Sequence, residues 1–300
     1  MYSTSYIGFE SVRARRRDPS NSDEGEKRMT LHTQRVALVG FGAIGQTVAR
    51  FIERGRSDGL QLVSVLTRDL QRLPKQTVEE FEPIFTDSWE DLVSQHPDIL
   101  IEAAGAEAVR SYASKALSSG MDLVLVTVGA LADDELLLRL QRVASEYGRR
   151  ILLPSGAIGG LDALGAASLA GLDSVSHTIR KPPRALLRPE RAAEVESQGK
   201  SLQLFEGSAR ESVAEFPQNT NVTVAVSLAG IGVDNTIVRV IADPNVSRNT
   251  HEIVAHGAFG KLAITIENQP SPSNPKTSRL AALSIAHLLR TRASSLTIGG

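Results

Sequence analysis

The sequence of 300 residues predicts an α/β fold, a doubly wound parallel sheet followed by a second domain of α+β type. Three observations carry this expectation. Short apolar runs alternate with helix-period segments from residue 35 to about residue 153; a glycine-rich turn joins the first run to the first helix; and beyond Pro154 the alternation gives way to longer strands.

The elements follow in order. Val36, Ala37, Leu38 and Val39 form a continuous apolar run after Arg35, the pattern of a parallel strand covered on both faces. Gly40 to Gly45 make a turn, and Val48, Ala49, Phe51 and Ile52 recur at helical spacing before Gly55. A second strand is predicted over Leu60–Leu66. Ser88, with Asp91 three residues on, has the form of a capping box opening a short helix that carries Trp89, Leu92 and Val93. Buried strands are expected at Asp98–Ala103 and Asp122–Val128, with a helix over Ala106–Leu117 between them. A helix over Asp133–Tyr147, closed by Gly148, leads to a strand at Ile151–Leu153. Gly156, Gly159 and Gly160 then precede a small-residue helix at Leu161–Leu169, and a strand follows at Ser174–Ile179. Residues 185–200 are charged and weakly patterned, as in an exposed excursion. A helix near Val222–Ala229, strands at Thr236–Ala242, Thr250–His256 and Lys261–Glu267, a loop at Pro270–Pro275 and an amphipathic helix over Thr277–Leu289 complete the chain.

Composition excludes several function classes. Lys and Arg number 33 against 34 Asp and Glu, so no overall field gathers nucleic acid or an anionic membrane. No apolar run approaches the ~20 residues needed to span a bilayer. With no cysteine, disulfides, thiolate metal sites and cysteine nucleophiles are absent, which is compatible with a reducing, cytoplasmic setting. Arg13, Arg15, Arg16 and Arg17, followed by acids through Glu26, suggest a solvated, disordered leader.

Gly40-Phe41-Gly42-Ala43-Ile44-Gly45 fits the pattern G-x-G-x-x-G between a buried strand and a helix. In that setting Gly40 makes the tight turn, Gly42 admits a pyrophosphate to the backbone, and Gly45 lets the helix lie close to the sheet. The unpaired amides at the helix start, those of Ala43 and Ile44 among them, would meet the negative charge. The pattern predicts a Rossmann-type site for NAD or NADP. At the end of the second strand Thr67-Arg68-Asp69 leaves the choice open: Arg68 suits a 2'-phosphate and Asp69 suits ribose hydroxyls.

Hydride transfer at a carbon bearing nitrogen or oxygen needs a proton carrier and donors for the substrate's carboxylates. Of the six histidines, His32, His96 and His287 sit at an edge of order, in a surface connection and within the last helix. His251, which ends the polar run Arg248-Asn249-Thr250, ranks ahead of His177 and His256 as acid or base. Thr127–Ala130, Pro154–Gly160 and Asn219–Asn221 are turns suited to a small anion. No set of residues has metal-ligand spacing.

The chain also resembles the L-aspartate dehydrogenase family. The resemblance rests on GFGAIG (40–45), EAAG (102–105), TVGALADD (127–134), LPSGAIGGLDAL (153–164), RKPPR (180–184), FEGSARE (205–211), NTNVTVAVSLAGIG (219–232), ADPNVSRNTHEI (242–253), GAFG (257–260) and NPKTS (274–278). It implies NAD- or NADP-dependent interconversion of L-aspartate and iminoaspartate, and a homo-oligomer. It further implies an active-site role for His251 and cofactor contacts at Ala130 and Asn221. Ser155, Gly156, Lys181 and Asn249 are the candidate donors for the two carboxylates of a small dicarboxylic amino acid. The expected division is a leader at 1–34, a dinucleotide domain at 35–155, a substrate domain at 156–272 and a final helix at 273–300 that packs back on the first domain. A reductase of homoserine-, dihydrodipicolinate- or malate-like acids, or a non-catalytic dinucleotide sensor, are the alternatives.

Overall fold

The computed structural model describes residues 33–54, 59–73, 79–81, 84–216, 220–271 and 274–298. The predicted leader, with its arginines and His32, lies outside the described residues.

Six strands form the first sheet: β1 (Gln34–Val39), β2 (Leu60–Leu66), β3 (Ile84–Thr86), β4 (Ile99–Glu102), β5 (Asp122–Leu125) and β6 (Ile151–Leu152). They lie in the order β3-β2-β1-β4-β5-β6, every pair parallel. Helices α1 (Ala43–Arg54), α2 (Trp89–Ser94), α3 (Ala106–Ser118) and α4 (Asp134–Glu146) connect them. β4 and β5 are buried along their whole length and β1 along most of it, as their unbroken apolar runs require. The strand order reverses between β1 and β4, so the connections from these two strands leave in opposite directions and open a crevice beyond their carboxyl ends, the usual ligand position in such sheets.

Local chemistry departs from the expectation at two places. The Ser88 hydroxyl accepts from Asp91 N at 3.2 Å, but the Asp91 carboxylate receives the Thr86 hydroxyl instead of reaching back to Ser88, so only half of the expected box forms. β5 stops at Leu125 because Thr127 turns its amide and hydroxyl onto Glu102, and Val128–Ala132 winds into a 3-10 turn.

A second sheet holds β7 (Leu172–Lys181), β8 (Leu202–Ser208), β9 (Ile237–Ala242), β10 (Asn249–Gly257) and β11 (Gly260–Asn268), in the order β11-β10-β7-β9-β8. It is mixed, with β7 and β9 parallel and the other pairs antiparallel. Helices α5 (Leu161–Ser168) and α8 (Thr220–Ala229) bury Leu164 and Val226 against Val175, Ile253 and Ala255 of this sheet.

The sequence expectation failed at three places here. The excursion at 185–200 contains helix α6 (Pro189–Gln198), which buries Ala192 and Val195 and is closed by Gly199 in the left-handed conformation. β8 and α7 (Ala209–Glu215) were not anticipated, although Ser208 and Glu211 form a full capping box. Within the predicted loop at 270–275, β12 (Pro270–Ser271) pairs with β13 (Asn274–Ser278).

The last helix, α9 (Arg279–Ala293), returns to the first sheet. Its Ile285 and Leu289 are fully buried in one cluster with Val48, Ile52 and Leu38. Near its end Arg292 pairs with Asp122 at the start of β5.

Candidate active site

The glycine turn has the shape that a dinucleotide needs. Gly40 sits at φ +93°, and a Cβ there would lie 2.7 Å from the Ala103 carbonyl oxygen of the neighbouring strand end. A Cβ on Gly45 would collide with the Gly40 carbonyl oxygen. Gly42 is different: a Cβ there would meet nothing within 4 Å, so that side of the turn is open. The α1 ladder starts with Gln46 N donating to Gly42 O at 2.9 Å, which leaves the amides before it for a ligand. The two blocked glycines hold the turn; the open one is the cradle that an added side chain would fill.

Glu102, at the end of β4 and 1% exposed, organises the rim. Its carboxylate accepts from the amides of Ala104, Gly105 and Thr127 and from the Thr127 hydroxyl, at 2.8–3.0 Å. Four donors on one buried carboxylate fix the β4–α3 and β5 turns together. Sequence reasoning missed its role, though a glutamate ending an otherwise apolar strand was a visible signal.

A cavity of about 250 Å³ lies between the two sheets. Ile44 of the glycine turn lines it together with Ser155, Gly156, Lys181, Asn221, Asn249 and His251; Thr277 and Ser278 at the end of β13 and Ala281 of α9 add a third side. The cavity therefore brings together Ile44 of the first turn, Ser155 and Gly156 of the 154–160 loop, Lys181, and Asn249 and His251 of β10, whereas Gly40, Gly42, Ala43 and Gly45 do not line it. Ala130 lies outside this cavity, in an adjoining cleft with Thr127, Gly129 and Arg110, and Asn221 borders both. Asn221 Oδ1 accepts from Gly129 N at 2.9 Å and so docks α8 on the 3-10 turn. Arg68 is exposed beyond the end of β2, in neither cavity. Beside it the Asp69 carboxylate accepts from Gln71 N at 3.0 Å and caps a short 3-10 turn.

Two candidate donors are already engaged. Gly156 N donates to Ser284 Oγ of α9 at 3.0 Å. The Asn249 amide nitrogen lies 3.2 Å from His251 Nε2. Asn268 clamps the same loop from β11: its amide donates to Ala157 O at 2.9 Å, and its oxygen accepts from the Ser278 hydroxyl. Neither Ser284 nor Asn268 was legible, because each acts through backbone more than 100 residues away in sequence.

His251 is 2% exposed on β10, and His177 is fully buried on β7. The register pairs His251 with Ile179 and His177 with Ile253, which makes the histidines diagonal neighbours on one face of the sheet. Their rings stack 18° from parallel, and His177 Nε2 lies 3.0 Å from His251 Nδ1. Burial, and secondarily the Lys181 charge, push His251 down to about 4; burial and the neighbouring ring hold His177 well below the ordinary histidine value. Burial also lowers Lys181 from the usual lysine range. The site thus presents a neutral imidazole and a half-buried ammonium in one cavity, suited to removing a proton from an amine that is held through carboxylate. Among the described residues, no three His, Asp or Glu come together as a metal would require.

Residues 162–292 match the family model described as aspartate dehydrogenase, C-terminal, and residues 40–154 match the NAD-binding domain of homoserine dehydrogenase. The chain is 42% identical over 280 residues to an L-aspartate dehydrogenase of Methanosarcina barkeri, covering 88% of this chain and 99% of that one. With the L-aspartate dehydrogenase of Brucella anthropi the identity is 37%, over 89% of this chain and 99% of the relative. The crystal structure of aspartate dehydrogenase from Thermotoga maritima superposes with a TM-score of 0.71 at 26% identity, covering 89% of this chain and all of the other. A homoserine dehydrogenase from Thiobacillus denitrificans shares the fold, with a TM-score of 0.60 at 14% identity over 87% of this chain and 73% of that one.

Proposed function

The chain belongs to the L-aspartate dehydrogenase family, and from that premise we propose how its own residues carry out NAD(P)-dependent oxidative deamination of L-aspartate. The observation that carries the reading is the single cavity in which Ile44 of the glycine turn meets Lys181, Asn221 and His251. Gly40, Gly42 and Gly45 would shape the cradle for the dinucleotide, the amides of Ala43 and Ile44 would hold its diphosphate, Ala130 and Asn221 would line its path, and Arg68, outside both cavities, would reach it only at the far, ribose end. NAD or NADP held there would supply the acceptor for the hydride from the substrate's Cα.

The ammonium of aspartate must lose a proton before its Cα can release hydride. His251 is neutral at physiological pH, and its Nε2 accepts that proton. Lys181 and the Ser155 hydroxyl receive the carboxylates, with Gly156 and Asn249 shaping the loop and the ring that face them. The Lys181 charge depresses His251, so a carboxylate seated on Lys181 offsets that charge and raises the proton affinity of His251 when substrate is in place. Iminoaspartate then forms, and water converts it to oxaloacetate and ammonia; the reverse sequence is reductive amination.

The division at 35–155, 156–272 and 273–300 is part of this proposal. So are a homo-oligomer, which the family resemblance suggests, and a cytoplasmic setting, with which a cysteine-free chain is compatible. Among the described residues no helix is long and apolar enough to cross a membrane.

Aspartate-dependent formation of reduced dinucleotide, with oxaloacetate and ammonia as products and with homoserine and malate as comparison substrates, tests the reaction. Replacing His251 with Ala is expected to lower kcat by roughly 10²- to 10⁴-fold, the usual contribution of a positioned acid or base, and to leave dinucleotide Kd unchanged. An equal loss in both would assign His251 to binding or folding instead.

A further inference from the structure

His177 lies outside the cavity, on a sheet face otherwise built of Val175, Ile179, Ile253 and Ala255. A fully buried imidazole among aliphatic side chains is costly unless its nitrogens are satisfied. Both are. Nε2 faces His251 Nδ1 at 3.0 Å, and Nδ1 faces the Thr223 hydroxyl of α8 at 3.3 Å. His251 completes the chain on its far side, with Nε2 3.2 Å from the Asn249 amide nitrogen. Thr223, His177, His251 and Asn249 thus form one line of hydrogen bonds with no carboxylate in it.

The direction of that line follows from its end. In this structure the Asn249 amide turns its nitrogen, a donor, to the ring and leaves its oxygen buried without a partner, and in that orientation His251 Nε2 brings a lone pair to it. The single proton of the neutral ring then sits on Nδ1 and is donated to His177 Nε2. His177, neutral as well, keeps its own proton on Nδ1 and donates it to the Thr223 oxygen. We propose that His177 is a positioning residue: with its Nε2 as acceptor it holds the His251 proton on Nδ1, so that Nε2 meets the substrate amine as a lone pair. Nε2 takes the amine proton once the Asn249 N–H has left its lone pair, and a turned Asn249 amide can offer its Oδ1, buried without a hydrogen-bond partner, to the new Nε2–H; the Nδ1–H bond to His177 then becomes charge-assisted, which stabilises the imidazolium without an acid nearby. The inference rests on the reading of His251 as the group that accepts the proton.

The tautomer can be read directly. In full-length protein labelled with ¹⁵N-histidine, His251 is expected to show a protonated Nδ1 and an unprotonated Nε2, its signals being assigned by their loss in His251→Ala. A proton found on Nε2 overturns the proposal. His177→Leu should lower kcat by roughly a hundredfold, between the effect of one lost hydrogen bond and that of a wrong catalytic tautomer. The KM for aspartate and the dinucleotide Kd should stay within about twofold of wild type. His177→Gln, whose Oε1 offers an acceptor near the place of Nε2, should recover most of the rate. Wild-type turnover in His177→Leu, or a folded His177→Gln as slow as the leucine variant, would count against it. If His177→Leu does not fold, the wild-type spectrum and the glutamine variant decide. Unchanged turnover in His251→Ala would instead overturn the reading of His251 itself, so the two failures are distinct.

Discussion

Neither His177 nor His251 has an acid to hold a positive ring, and this makes the fold sensitive to acid in a definite window. Unfolded histidines take up protons as pH falls through about 6.5, whereas folded His251 does so only near 4. Between those values the unfolded chain binds more protons, so stability declines as pH falls, and above 6.5 these rings contribute no slope. His251→Gln should therefore recover ground against wild type on acidification: the difference in Tm between them shifts towards the variant from pH ~7 to pH ~5. A constant difference across that range would show that His251 already titrates normally in the fold. From sequence, His251 could be ranked first because a polar turn precedes it, and His177 could be placed second. Their contact could not be read, since it depends on a diagonal register between strands more than 70 residues apart.

At the scale of elements, the glycine turn makes the sharpest prediction, because its glycines do different work. Gly45→Ala pushes a methyl group into the Gly40 carbonyl and should lower Tm, with an overpacking cost of about 1–3 kcal/mol. Gly42→Val meets open space and should leave Tm near wild type while abolishing dinucleotide binding by calorimetry. Equal Tm losses would mean that Gly42 is also structural. The strand-turn-helix was legible because Val36–Val39, the glycines and the Val48–Ile52 face each carry their own signal. Helix α6 was not, because Glu190, Arg191, Glu194 and Glu196 conceal a burial face of only Ala192 and Val195. Pro189 at its start and Gly199 past its end were the available clues. β8 escaped for a related reason: none of its residues is fully buried, so its apolar alternation is weak.

In the whole molecule, one side of the cavity is formed by the β13–α9 junction. Ser284 on α9 accepts the Gly156 amide, and Asn268 holds Ala157 from β11. Ser284→Ala should leave that amide without its partner, at a cost of about 1–3 kcal/mol, and raise the KM for aspartate with no change in dinucleotide Kd. Steady-state kinetics beside a dinucleotide titration checks this, and an unchanged KM would make α9 a packing element alone. The return of α9 carries a further consequence for biosynthesis. Translation runs from the amino end and domains tend to fold as they emerge. The first sheet can therefore form while Asp122 still lacks Arg292 and Gly156 still lacks Ser284. A nascent or prematurely terminated product would own a coenzyme cradle but no finished reaction chamber, and competence would arrive only as the final turns of helix leave the ribosome.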